Sequence, residues 1–365
     1  MTLTPGPDGP APPAPTIRNV AAAAGVSKSL VSLVLQGSPQ VSPGKRALVV
    51  AAIEALGYRP NAAARSLTQR RTRAVGLLMN DLRNPWFVEN LEGLNSTLGE
   101  HGLSVLLGDG RLDRREDERL LNTFMDMRVE GLVLVGTMPE SDAMREAASR
   151  LPTVVVGTRD FDFPLADVAA QDDRHGIALA VGHLIDLGHR RIGHLSGTVG
   201  GVQELRRQSY LEVMTEAGLA TMITIEPTDM TEDGGYHAAL RMLEGSVRPT
   251  AIVAANDVVC LGALGAAQEL GLRVPQDLSL TGYDNTYLAK LRHLSLTSVD
   301  ISGRDVGAHA AEMLLARIEL PTRPATEYLA LPTLAVRSST GPPPAAPPAP
   351  TAPAGDHINI GRTGR

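Results

Sequence analysis

Two hydrophobic rhythms run along the chain. Between residues 16 and 60 apolar side chains recur at helical spacing, whereas from 73 to 337 short continuous apolar runs alternate with helix-period segments. In the first stretch Ile17, Val20, Ala21 and Ala24 form one stripe behind a Thr16 cap, and Leu30, Val31, Val34 and Leu35 form a second behind Ser27. Gly25 supplies the backbone freedom of a tight turn between them. A third helix opens at Ser42-Pro43, buries Val49, Ile53 and Leu56, and closes at Gly57. The phasing predicts a helix-turn-helix, with Lys28, Ser29, Ser32 and Leu33 outward on the N-terminal end of the second helix, the part that reaches base edges in such motifs. Lys45 and Arg46 fall in the first turn of the third helix, placed for phosphates.

In the second stretch the predicted strands are 74–79, 103–107, 131–135, 153–156, 192–196, 223–226, 251–255 and 278–283. Continuous apolar strands separated by helices such as 87–101 and 173–187 indicate parallel sheets covered on both faces. Some 265 residues of this alternation suit two doubly wound lobes, with a ligand cleft between them at the carboxyl ends of the strands.

Composition adjusts this picture at three points. Residues 1–15 hold six prolines and 341–355 are almost all Pro and Ala, so both ends read as disordered extensions. Lys and Arg are concentrated at the front: residues 17–73 carry nine against the single acid Glu54, a charge of +8, which leaves −14 for the rest of a chain of net charge −6. A basic module on an acidic body suggests a polyanion-binding head. Cys260 has no partner, no run has the length of a membrane span, and the first sixteen residues lack the pattern of a secretory signal. The expected setting is the cytoplasm, with no membrane contact.

The motifs are more specific. Thr16–Leu35 with Ala24-Gly25-Val26-Ser27, then Gly57-Tyr58-Arg59-Pro60-Asn61 and Ala64-Arg65-Ser66-Leu67, resembles the DNA-binding head of the LacI/GalR family of bacterial transcription regulators. The resemblance continues through Asn84-Pro85-Trp86-Phe87, Gly188-His189-Arg190-Arg191-Ile192, Asn256-Asp257 and Gly282-Tyr283-Asp284, covering about residues 16–337. It implies an N-terminal all-α helix-turn-helix domain (16–60) joined by a hinge helix (61–72) to a two-lobed α/β body like the periplasmic binding proteins (73–337). Lobe one would take about 73–171 and 301–330, lobe two about 172–300 and 331–337, and a Pro/Ala-rich tail would follow from 338 to 365. The hinge segment 61–69 is only about two helical turns long and marginal on its own in water. In the family it folds on the operator beside its dimer mate; Asn61 caps it, Arg65 lies on it, and Leu67 matches the leucine driven into the minor groove. One departure stands out: Leu33 occupies a base-reading position where arginine is common, and leucine cannot make the bidentate contact to guanine.

The same resemblance places effector contacts between the lobes, at Arg206, Asn256 and Asp284, with Trp86 and Phe87 as the apolar wall. The expected function is a homodimeric regulator of double-stranded operator DNA, a repressor in the commonest family outcome, controlled by a small molecule, by default a carbohydrate. Two readings compete: a solute-binding component of a transporter, suggested by the body alone, and an α/β enzyme. No nucleophile elbow, P-loop or dinucleotide fingerprint occurs, so no catalysis and no cofactor are expected. His183, His189 and His194 fit a helix, a turn and a strand, which does not assemble a metal site. Asp173 reads as an acidic helix opener and Cys260 as a small core residue.

Overall fold

The computed structural model describes residues 15–58 and 71–344, apart from Gln36, Asn80, Leu112, 137–139, Val199 and Ser246. Asn61, Arg65 and Leu67, with the rest of the hinge up to residue 70 and the terminal stretches 1–14 and 345–365, lie outside the described residues. The chain divides into two compact units, 1–73 and 74–365.

Among its described residues the first unit is three helices, α1 (Ile17–Ala23), α2 (Lys28–Leu35) and α3 (Pro43–Leu56). Thr16 and Asn19 lock the start of α1, the Asn19 side chain accepting from both the backbone N–H and the hydroxyl of Thr16. Gly25 turns the chain at φ +63° and Gly57 ends α3 at φ +59°, conformations that cost glycine least. Val20, Ala21, Val31, Val34, Val41, Val49 and Ala52 fill the core. Lys28, Ser29 and Lys45 are exposed and Ser32 is half-buried. One outward assignment needs correction, and one phosphate candidate already has a partner within the unit. Leu33 is half-buried and packs against the core. Arg46 is half-buried too, and its Nη2 donates to the carbonyl of Ser38 at 2.6 Å, tying the loop after α2.

The second unit contains two six-stranded sheets. Sheet one runs β11-β5-β4-β3-β1-β2, with β1 (Ala74–Met79), β2 (Ser104–Asp109), β3 (Gly131–Val135), β4 (Thr153–Val156), β5 (Asp167–Gln171) and β11 (Glu327–Ala330). Sheet two runs β12-β10-β9-β8-β6-β7, with β6 (Ile192–Gly197), β7 (Thr224–Thr228), β8 (Ala251–Ala254), β9 (Ser279–Tyr283), β10 (Thr297–Asp300) and β12 (Thr333–Ala335). Every pairing is parallel except β10 with β12. The chain passes between the lobes three times: after β5, after β10 and after β11. Helices α4 (Pro85–Glu100), α5 (Arg114–Asp126), α6 (Asp142–Arg150) and α12 (Gly303–Glu319) cover sheet one. Sheet two is covered by α7 (Asp173–Asp186), α8 (Gly201–Glu216), α9 (Glu232–Glu244) and α10 (Asp257–Glu269), with short α11 (Tyr287–Lys290) beside α10.

Backbone contact holds α4 against α12: a Cβ added at Gly93 would lie 2.0 Å from the Arg304 carbonyl oxygen, and one at Gly307 would lie 2.2 Å from that of Asn90. The start of α4 is thereby fixed beside the second crossover. Residues 338–344, expected to begin a disordered tail, instead pack on lobe two. Ser339 is buried, exchanging hydrogen bonds with the backbone of Leu280, and the Gly341 carbonyl meets His189 Nε2 at 2.8 Å. The segment supplies backbone partners that sheet two lacks on this side, which its composition did not reveal.

Candidate functional site

Between the lobes is a cavity of about 200 Å³. Its lining follows the strand topology. Asp81 comes after β1, Gly136 after β3, Gly157 after β4, Gln171 ends β5, Thr198 follows β6, Asp229 follows β7, Asn256 follows β8 and Asp284 follows β9. All sit at carboxyl ends of parallel strands, where such sheets open into a crevice. Helix starts supply Asn84, Trp86 and Phe87 from α4 and Val202, Gln203 and Arg206 from α8, and Met230 follows Asp229 in its loop. The cavity thus brings together Trp86, Phe87, Arg206, Asn256 and Asp284.

The lobe-one wall is built by a cap. Asn84 Oδ1 accepts from the Trp86 N–H at 3.0 Å and Pro85 takes the first helical position, so Trp86 and Phe87 lie in the first turn. Their rings meet edge to face at 5.0 Å between centroids and 74° between planes. The indole is wedged between two glycines: a Cβ at Gly157 (φ +84°) would lie 2.5 Å from it, and one at Gly303 would lie 3.1 Å away. At the rim Asp81 pairs with Arg83 at 2.6 Å; burial works against its charge, but the Arg83 hydrogen bonds hold the carboxyl below its ordinary range.

The lobe-two wall centres on Arg206, only 4% exposed. Its Nε donates to Asp173 Oδ1 at 2.7 Å, its Nη1 donates to the Ala255 carbonyl at 2.7 Å, and its guanidinium lies 3.7 Å above the Tyr283 ring. The Tyr283 hydroxyl donates to the same Asp173 oxygen at 3.0 Å, and Gln171 Nε2 donates to the other at 3.2 Å. Asp173, expected as a helix opener, is thus also the buried counter-ion of the site. Burial opposes the charge of Arg206, yet Asp173, Tyr283 and Asp284 outweigh it and raise its pKa. Asp284 Oδ1 stands 4.0 Å from Arg206 Nη2, and Asn84 reaches across from lobe one to donate to Asp284 Oδ2 at 3.4 Å. Burial pushes the Asp284 carboxyl well above the carboxylate range against the pull of Arg206. Asn256 caps α10, accepting from the Val259 N–H at 2.8 Å, so its oxygen already has a structural partner.

Sequence reasoning did not single out Gln171, Gln203, Asp81 or Asp229, though the rule of strand ends points to Asp81 and Asp229. The Oε1 atoms of Gln171 and Gln203 are buried with no hydrogen-bond partner among the described residues. Such atoms cost free energy unless something pairs with them. The three histidines are separate: His183 meets Thr340, His189 meets Thr250 and Gly341, and His194 meets the Val253 carbonyl. Among the described residues no group of side chains could hold a metal ion, and no helix is long and apolar enough to cross a membrane. Cys260 is fully buried, and burial raises its thiol pKa.

A helix-turn-helix unit together with a two-lobed body enclosing a polar cleft defines a DNA-binding regulator under small-molecule control. Comparison with known proteins agrees. The model for bacterial regulatory proteins of the lacI family matches residues 16–61, and that for a periplasmic binding protein-like domain matches 181–340. The ribose operon repressor of Escherichia coli (strain K12) is 34% identical over 329 residues, 89% of this chain and 99% of that protein. The HTH-type transcriptional repressor PurR of Edwardsiella ictaluri (strain 93-146) is 35% identical over 314 residues, 83% of this chain and 90% of that one. A crystal structure of the lac repressor dimer bound to operator and the anti-inducer ONPF matches with a TM-score of 0.79 at 26% identity, over 89% of this chain and 99% of that chain. The chain belongs to the lacI family of bacterial transcriptional regulators.

Proposed function

We propose that this regulator is a cytoplasmic homodimeric repressor, without enzymatic activity, whose effector is a sugar or sugar derivative held between the lobes. The observation that carries the reading is the pairing of an aromatic corner, Trp86 and Phe87, with convergent hydrogen-bonding groups on Arg206, Asn256 and Asp284. A pyranose or furanose ring has one apolar face and a rim of hydroxyls, and this cleft offers a match for each. Asp284 accepts from hydroxyls, while Arg206 and the amide of Asn256 donate to them. On the DNA side, the exposed Lys28 and Ser29 and the half-buried Ser32 face base edges and Lys45 faces phosphates; Asn61, Arg65 and Leu67 form the hinge contact by family resemblance. Leu33 packs partly into the core, and what it leaves exposed suits a thymine methyl rather than the bidentate edge of guanine. Two half-sites require two heads, hence the dimer.

The test is a thermal-shift screen of neutral pentoses, hexoses, disaccharides and nucleobases, followed by operator footprinting with and without the hit. A sugar is expected to raise the melting temperature and to change operator protection. Stabilisation by nucleobases alone overturns the carbohydrate assignment. Operator affinity should fall steeply with salt as phosphates are neutralised by the basic head; a flat salt response counts against the DNA assignment.

A further inference from the structure

The effector-facing loop is bolted to the crossover between the lobes. Asp284 and Asn285 both stand at positive φ, +94° and +48°, so this turn is held by its side chains rather than by backbone preference. Asn285 is the residue that holds it. Its N–H donates to Ser298 Oγ at 3.0 Å, its Oδ1 accepts from Arg337 Nη2 at 2.7 Å, and its Nδ2 donates to Asp300 Oδ2 at 2.7 Å. Asp300 is the last residue of β10, and its other oxygen accepts from the N–H of Ser302 at 2.8 Å. Ser302, at φ +50°, is where the chain leaves lobe two and enters α12 of lobe one. The next residue, Gly303, is one of the two glycines against which Trp86 packs.

A single carboxylate therefore joins the loop that carries Asp284 to the bend that underlies Trp86. We propose that Asn285 and Asp300 form a positioning clamp: their hydrogen bond sets the hinge bend at Ser302 and so brings the polar wall of lobe two and the aromatic wall of lobe one into register across the cleft. The inference rests on the reading of this cleft as the effector site. Neither residue lines the cavity, and the chemistry of the pair dictates its own test, because the bond survives exchange of the two side chains. With Asp at 285 and Asn at 300, the amide at 300 donates to the carboxylate at 285, its oxygen still accepts from Ser302, and Arg337 keeps an acceptor. Either single change destroys the match. Asn285→Asp sets two carboxylates face to face, and Asp300→Asn leaves its new amide donor facing another donor whichever way it flips, the Asn285 amide or the Ser302 N–H.

Trp86 is the only tryptophan of the chain, so its emission reports on this region without a label. Acrylamide quenching of the full-length protein, with no ligand and no DNA, is measured for the wild type, Asn285→Asp, Asp300→Asn and the double exchange, with far-UV circular dichroism checking that each is folded. The quenching constant is expected to rise about twofold or more in each single variant and to return to the wild-type value in the double, the non-additivity of groups in direct contact. Wild-type quenching in both singles, or a double no better than the two losses combined, overturns the clamp; a single variant that does not fold while the double does supports it. Operator titration of the same proteins keeps the two questions apart. If even the wild type prefers no DNA fragment, the regulatory reading falls while the quenching cycle still decides the clamp.

Discussion

Lobe one meets the cleft with Trp86 and Phe87, placed by the Asn84-Pro85 cap, whereas lobe two meets it with Arg206, Asp284 and the buried Asp173 behind them. The sheets share one strand order and the same helix-on-both-faces plan, so the fold does not dictate this division of labour. What differs is the local device that aims each side chain. A capped first turn projects apolar rings from lobe one, while in lobe two an ion pair, a ring face and a positive-φ turn hold polar and charged groups in buried positions. Apolar recognition tolerates small adjustments of shape, but a buried guanidinium must keep every partner. Lobe two should therefore be the more brittle half.

Substitutions can break that contrast. The largest effect is expected from Arg206→Ala, which strips Asp173 of its cationic partner and should cost about 3–5 kcal/mol of stability together with all ligand binding; denaturant unfolding and calorimetry check both. Trp86→Phe in lobe one should cost roughly 1–2 kcal/mol, as for a partly refilled core site. Because the Asn285–Asp300 bond joins the two walls, combining these changes should depart from additivity by more than about 0.5 kcal/mol in the same unfolding assay, and simple addition would mean that the walls are held independently.

A further contrast depends on pH. His194 is buried beside Tyr210, and burial, aided by Arg206 and Arg207, lowers its pKa to about 4 from an unfolded value near 6.5. Between those pH values the unfolded chain binds the extra proton, so this contribution is complete above about 6.5 and is lost as pH falls toward 4. His194→Gln should flatten the dependence of unfolding free energy on pH in that window by up to about 1.4 kcal/mol per pH unit, which a series of denaturant melts would reveal. The smallest effect belongs to Arg207, the neighbour of Arg206, whose pair with Glu204 is solvent-exposed. Arg207→Ala should leave the melting temperature unchanged, so the two adjacent arginines bracket the range.

Much of the architecture was legible because apolar runs mark buried parallel strands: β1, β3 and β4 fall at the very residues the pattern selects. Strands β5, β10, β11 and β12 escaped it. They are three to five residues long and carry polar side chains such as Asp167, Gln171, Thr297 and Asp300, which flank the crossovers and are buried or half-buried against partners there, Asp167 against Arg317 among them. At the site, motif resemblance led to Trp86, Phe87, Arg206, Asn256 and Asp284. The roles of Asp173 and Asn285 depend on partners more than a hundred residues away or on a strand not foreseen, so no local pattern announces them. In the first unit, helical phasing alone put Leu33 outside, where its half-buried packing shows that a three-helix core draws in residues beyond the strict stripe.

Residues 338–341 carry a practical corollary for proteolysis. Leu280 lies inside sheet two and exchanges two hydrogen bonds with Ser339, while His189 and Ser279 both reach the Gly341 carbonyl. A nuclease-free preparation trimmed by a nonspecific protease should therefore yield a stable fragment ending beyond Gly341. Removing four more residues would leave the Leu280 N–H and carbonyl and the His189 ring without these partners, opening unpaired backbone at the side of sheet two to self-association.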